Sequence, residues 1–210
     1  MNITLNYTIN SEFLEKEIAI MTTLEIEYKT LLNQDEFNRL ESRLSHIKPV
    51  TQTNYYFDTA NFDLKAHRMS LRIRTFSDKA ELTLKIPQEV GNVEYNQALL
   101  LSEAKKAIKE EKLPKGEILN ILTNENIPLE NLKVLGHLTT VRRETQTPIG
   151  LLALDYNQYA GLKDYELELE VSDATQGKID FDNFLEQHNI SFKYAKSKVA
   201  RFSATLKNAH

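Results

Sequence analysis

The chain has 210 residues, 41% of them apolar and 27% charged, which is enough apolar surface for a sizeable core. Its 26 basic side chains are outnumbered by 30 acidic ones, for a formal net charge of −4, so no general grip on nucleic acid or anionic lipid is expected and any polyanion must be met locally. Cysteine is absent, which excludes disulfides, thiolate metal sites and cysteine nucleophiles; no apolar run approaches the ~20 residues of a membrane span and no signal core opens the chain, so a cytoplasmic protein without membrane association is expected.

The first twenty residues, MNITLNYTINSEFLEKEIAI, show no clear period, and a regular pattern begins only after Met21. Residues 1–20 are read as an extension outside the native start, because the Lys16-Glu17 codons could themselves form a purine-rich ribosome-binding site; residues 21–210 are read as one domain. From Leu24 onward the alternation has period two, which sends successive side chains to opposite faces of a strand. It predicts strands over 24–31, 51–58, 70–75, 80–86, 93–99, 136–147, 151–158 and 165–172, and about eight strands suit a small closed barrel.

Helical patterns lie between the strands. Asn33 with Glu36 resembles a capping box opening a helix through Phe37, Leu40 and Leu44. A second starts at Ser102 and stops before Pro114, and a third runs through Ile118 and Leu122 to near Pro128. Phe181, Phe184 and Leu185 mark a fourth, and a last one is predicted over 198–206. There is no internal repeat and no linker.

Within the strands, charged residues share faces. Glu25, Glu27 and Lys29 lie opposite Leu24, Ile26 and Tyr28; Arg72 and Arg74 lie opposite Leu71 and Ile73; Glu81, Thr83 and Lys85 lie opposite Leu82, Leu84 and Ile86; Glu166, Glu168 and Glu170 lie opposite Leu167, Leu169 and Val171. Arg143 and Asp155 fall on polar faces of two further strands. A sheet with one face in water also alternates in this way, and for any single strand that bland reading wins. Across the set it does worse, because neighbouring like charges on one face repel. Such groupings become favourable when something of opposite sign sits between them. Carboxylates gather a hard cation such as Mg2+ or Mn2+, and guanidinium groups hold phosphate. Both clusters on one inner wall would bind a metal-complexed polyphosphate.

These residues also resemble a known family. Glu25-Ile-Glu-Tyr-Lys29 is similar to the ExExK signature of the CYTH domain of triphosphate tunnel metalloenzymes. The further landmarks follow in that family's order: YYFDT from Tyr55, LRIR from Leu71, ELTLK from Glu81, Glu94 in VEYNQ, TTVRRE, Asp155 in LALD, Glu168 and Glu170, and Lys198 in KSK. The resemblance spans Leu24 to Arg201. It implies an α+β fold, a closed eight-stranded antiparallel β-barrel forming a tunnel with flanking helices, and hydrolysis of a small-molecule linear triphosphate. By the same resemblance Glu25, Glu27, Glu168, Glu170 and Asp155 are metal ligands for Mg2+ or Mn2+, while Lys29, Arg72, Arg74, Lys85, Arg143 and Lys198 form the triphosphate clamp. Arg142 and Arg143 are adjacent and face opposite ways, and Arg143 is chosen for the clamp. Glu94, Glu166 and Glu81 are supporting acids, and Lys29, Glu25 and Glu27 are the catalytic candidates. A metal-activated water is preferred as nucleophile, no general base is assigned, and a homodimer is plausible by family.

Other chemistries leave no trace in the sequence. Neither G-x-x-x-x-G-K-[ST] nor G-x-G-x-x-G occurs, so backbone amides do not cradle phosphate in the usual loops. The five histidines are isolated, no G-x-S-x-G elbow appears, and Tyr55, Tyr56 and Phe57 read as strand packing and not as RNA-stacking residues. Inorganic triphosphate is the leading substrate. The competing readings are a noncatalytic polyphosphate or nucleotide sensor, a thiamine triphosphatase and an adenylate cyclase.

Overall fold

The computed structural model describes residues 20–206; the reading of residues 1–20 as an extension lies outside the described residues, apart from Ile20, which opens the first strand. Eight strands, β1 (Ile20–Leu32), β2 (Val50–Thr59), β3 (Ser70–Thr75), β4 (Ala80–Pro87), β5 (Asn92–Leu99), β6 (Leu132–Thr147), β7 (Gly150–Tyr159) and β8 (Leu162–Val171), are accompanied by six α-helices among the described residues. The helices are α1 (Gln34–Arg43), α2 (Asp63–Ala66), α3 (Leu101–Glu110), α4 (Glu117–Asn124), α5 (Ala174–Gln187) and α6 (Lys198–Leu206). The strands form a closed barrel in the order β1-β5-β4-β3-β2-β6-β7-β8. Every pairing is antiparallel.

Closure turns the period-two alternation into an inside and an outside. The apolar set faces outward and is buried beneath helices, which leaves the polar set facing the lumen. Leu71, Ile73, Leu82 and Leu84 of β3 and β4 pack under Ala104 and Ala107 of α3 and Ile118 and Leu122 of α4. Leu152, Leu154, Leu167 and Leu169 of β7 and β8 pack under Phe37 and Leu40 of α1 and Phe181 and Leu185 of α5. Each fully buried Leu, Ile or Phe contributes about 1.5–3 kcal/mol of transfer free energy, so the cost of a charged interior is met by cores on the barrel's exterior.

Local signals set the helices as predicted. Asn33 Oδ1 accepts from the Glu36 amide at 2.9 Å, and Glu36 Oε2 accepts from the Asn33 amide at 2.8 Å, closing the capping box of α1. The single turn of α2 escapes sequence periodicity because Asp58 builds it, accepting from the amides of Leu64 at 2.9 Å and Lys65 at 3.2 Å. No helix among the described residues is long and apolar enough to cross a membrane.

Helix α6 departs from the exterior pattern. Its Phe202 is buried and stacks on Tyr56, with ring centroids 5.6 Å apart, beside Leu138 and Tyr159. Tyr56 and Leu138 share the parity of Asn54 and Arg142 on their strands, so Phe202 lies inside the barrel's perimeter. Gly136, at φ 143°, makes the room: a Cβ there would meet the Phe202 ring at 2.5 Å.

Candidate functional site

The inward faces enclose a cavity of about 890 Å3, within the range of small-molecule sites. Register fixes which charges meet. Across β1 and β8, Glu27 stands opposite Glu170 and Lys29 opposite Glu168. On the far wall Tyr56, Arg72 and Thr83 fall level across β2, β3 and β4, and Lys85 stands opposite Glu94. Glu25, Glu27, Lys29, Arg72, Arg74, Lys85, Glu94, Glu168, Glu170 and Lys198, all expected from the sequence, line this one cavity.

On the β3–β5 wall Arg72, Arg74 and Lys85 crowd together and meet three acids, Glu25, Glu81 and Glu94. Lys85 pairs with Glu25 and lies 3.0 Å from Glu94; Arg72 lies 3.7 Å from Glu94. Arg74 Nη1 donates to Glu81 at 3.1 Å and its Nε to Asn54 at 2.9 Å, which places Glu81 as the orienting partner of Arg74. Burial, then the neighbouring Arg72, lowers the Arg74 pKa to about 10. Burial opposes ionisation of Glu94, but Arg72 and Lys85 override it and hold its carboxyl at about 2. Arg72 Nε, Asn54 Nδ2 and Tyr56 Oη are buried with no hydrogen-bond partner among the described residues. Such orphaned groups cost about 1–3 kcal/mol each, and these three are donors that an anion in the lumen would satisfy.

Carboxylates crowd one another around Glu25 and Glu170. Burial and then Glu27 raise the Glu25 pKa, with Lys85 offsetting only part. Burial and then Glu94, Glu144 and Glu27 raise that of Glu170, which has no ion-pair partner among the described residues. Glu27 is paired to Lys29. These crowded carboxylates offer only oxygen, the donor set of Mg2+ and Mn2+, and their mutual repulsion is what a divalent cation relieves. Glu25, Glu27 and Glu170, with Glu144 near Glu170, carry the donor chemistry of such an ion, although among the described residues only Asp155, Glu166 and Glu168 bring three carboxylate oxygens within 4.8 Å of one another.

A third group of acids is already satisfied. Carboxylate oxygens of Asp155, Glu166 and Glu168 lie within 4.8 Å of one another, a spacing that suggests a metal. The Lys198 ammonium occupies the space between them, 2.9 Å from Asp155, 2.8 Å from Glu166 and 2.7 Å from Glu168. Arg142 adds two bonds of 2.7 Å to Asp155 and a contact to Glu168. Burial disfavours the Glu168 carboxylate, but Lys198 and Arg142 hold its pKa well below the usual range. Asp155, expected as a metal ligand, therefore has both oxygens committed to protein cations, and Lys198, expected in the triphosphate clamp, is held in a cage of three acids.

Arg143 is a correction. It points out of the barrel, donating to the Ile47 carbonyl and lying 3.3 Å from Glu41 of α1, in a small exterior pocket with Phe37, Tyr156 and Tyr165. Arg142 takes the inward position, and with it Glu144, which also lines the cavity and lies 3.2 Å from Arg142. In TTVRRE Arg142 and Glu144 share one parity and Arg143 has the other, but parity alone does not say which face turns inward. Lys65, Arg68 and Lys196 also line the cavity, and no strand alternation marks them because they lie outside the strands.

Comparison with known proteins agrees with this fold. The CYTH domain family matches residues 23–203. YjbK of Bacillus subtilis (strain 168), named as a candidate triphosphatase, is 36% identical over 181 residues, 85% of this chain and 94% of YjbK. A candidate adenylate cyclase from Bacillus halodurans superposes with a TM-score of 0.81 at 38% identity, covering 86% of this chain and 98% of its own. HpAC1 from Hippeastrum, described as a candidate adenylyl cyclase that reveals a dominant triphosphatase activity, gives a TM-score of 0.76 at 26% identity over 87% of this chain and 96% of its own.

Proposed function

The chain belongs to the CYTH domain family, and on that premise we propose that it is a divalent-metal-dependent hydrolase of linear triphosphates, with inorganic triphosphate the preferred substrate. One observation carries the proposal: one lumen crowds cations together on one wall and carboxylates together on another. Arg74 is depressed to about 10 by burial and Arg72, while Glu25 and Glu170 are raised by burial and by other carboxylates. A metal-complexed phosphate chain relieves both at once.

Phosphoryl transfer asks the protein to hold the chain in line with a water and to offset charge on the phosphate oxygens. Arg72, Arg74 and Lys85, joined by Arg142, hold those oxygens and stabilise the diphosphate that leaves as the terminal P–O bond breaks. Glu25, Glu27 and Glu170 would hold Mg2+ or Mn2+, which would supply Lewis-acid charge and a more acidic water. Lys29, fixed by Glu27, directs its remaining donors toward the nucleophile. Glu81 and Glu94 aim Arg74, Arg72 and Lys85.

The test is phosphate release from inorganic triphosphate with Mg2+ or Mn2+, in wild type and Glu25→Gln. Turnover that requires the metal and falls about 100-fold or more in the variant is expected, the scale of losing one transition-state electrostatic contact. Tight triphosphate binding without turnover in either metal would replace the hydrolase by a sensor. Cyclic AMP as the main product from ATP would replace it by a cyclase.

A further inference from the structure

Glu166 adds a third acid to the Glu168–Glu170 pair, and the metal and phosphate roles above leave it unused. We propose that Glu166 is a positioning residue that seats helix α6 in the barrel by holding Lys198 and Arg201, and that α6 so seated forms one wall of the substrate cavity.

The Glu166 side chain is fully buried, and both of its oxygens are taken. Oε2 lies 2.6 Å from Arg201 Nη2 and 2.8 Å from Lys198 Nζ, and Oε1 accepts from Arg201 Nη1 at 3.2 Å. Lys198 and Arg201 are three residues apart and so share one side of α6; Phe202 follows directly and enters the barrel beneath Gly136. Asp155 and Glu168 complete the cage around Lys198, and Asp164 Oδ2 lies 2.9 Å from Arg201 Nε. Four acids of β7 and β8 thus face three protein cations, Arg142, Lys198 and Arg201. A divalent ion at Glu166 would have to displace two of those cations and the helix that carries them. Val199, Ser203 and Ala204 of the same helix line the cavity, so the seat of α6 decides where that wall stands.

The experiment compares wild type, Glu166→Gln, Arg201→Met, the double variant Glu166→Met/Arg201→Met, and Glu25→Gln as the metal-site reference. Hydrogen exchange over 198–206 is expected to lose about tenfold protection in each single variant and to regain most of it in the double one, because removing both members of a buried pair is tolerated far better than removing one. Mn2+ affinity, measured by calorimetry, should stay within about twofold in Glu166→Gln and fall more than about tenfold in Glu25→Gln. The wall claim rests on the triphosphate reading and predicts a KM raised about fivefold in Glu166→Gln with kcat within about twofold, the signature of lost uniform binding. Mn2+ affinity lost in Glu166→Gln as in Glu25→Gln would make Glu166 a ligand and overturn the proposal. So would unchanged protection over 198–206, and a kcat loss at constant KM would overturn the wall. If Glu166→Gln does not fold, Arg201→Met and the double variant decide the seating. A wild type that turns over no triphosphate defeats the hydrolase reading, while the exchange and Mn2+ measurements still judge Glu166.

Discussion

Methionine at position 142 or at position 143 gives a matched pair, since the two arginines are chain neighbours whose side chains are both 19% exposed. They differ in the face they occupy. Arg142→Met removes the bidentate partner of Asp155, which is 0% exposed, and a contact to Glu168, leaving Lys198 as the one cation paired with both. Losing one member of such a buried network costs about 3–5 kcal/mol, which for a chain of this size lowers Tm by about 10 °C. Arg143→Met removes a 3.3 Å pair to Glu41, itself 42% exposed, and a bond to the Ile47 carbonyl. That loss is worth about 1 kcal/mol or less. Thermal unfolding measures the stabilities, and phosphate release from triphosphate, at a temperature where both variants are folded, measures function. Arg142→Met is expected to lose about 100-fold in rate, the scale of one electrostatic contact to the transition state, and Arg143→Met to stay within about twofold. Equal activity losses, or a larger loss at Arg143, would refute the assignment of Arg142 to the lumen.

Two further outcomes follow from the charges of the cavity. Glu170 has a folded pKa raised above its unfolded value, so the stability it contributes is present below the unfolded pKa and lost as pH rises through the folded one. Glu170→Gln should therefore raise the Tm of the metal-free protein at pH 7 and shrink the further rise produced by Mn2+; a lower metal-free Tm would contradict the repulsion argument. Glu94 has the opposite sign: held at about 2 against an ordinary 4.5, it contributes stability above pH 4.5 that is lost as pH falls toward 2. The shift corresponds to about 3 kcal/mol, so urea unfolding of wild type and Glu94→Gln should differ most at pH 7 and converge near pH 2. A difference independent of pH would refute it.

Much of the fold was legible because its signals are local. Period-two alternation in LEIEYK, LRIR, ELTLK and YELELEV marked both the strands and the face that carries charge, and the Asn33–Glu36 capping box and the Pro114 stop marked helices. The eight expected strands close as an antiparallel barrel. Strand ends were read short, as where β6 starts at Leu132 and β8 at Leu162, because edge residues pair without alternating cleanly.

Which charges remain available was not legible. Alternation assigns a side chain to a face but says nothing of what it meets across the lumen. Arg142 and Arg143 show the limit, since one residue of register exchanges inside and outside. Counting back along the hairpin from the Thr147–Gly150 pair is what brings Arg142 opposite Asp155. Lys198 and Arg201 lie some thirty to forty residues from the acids they engage, and only the entry of α6 into the barrel joins them. The sequence by itself determined that opposite charges share an inner face. The tertiary structure decided which of them neutralise each other, because ion pairing depends on distances of 3 Å between strands and a helix that no spacing along the chain encodes.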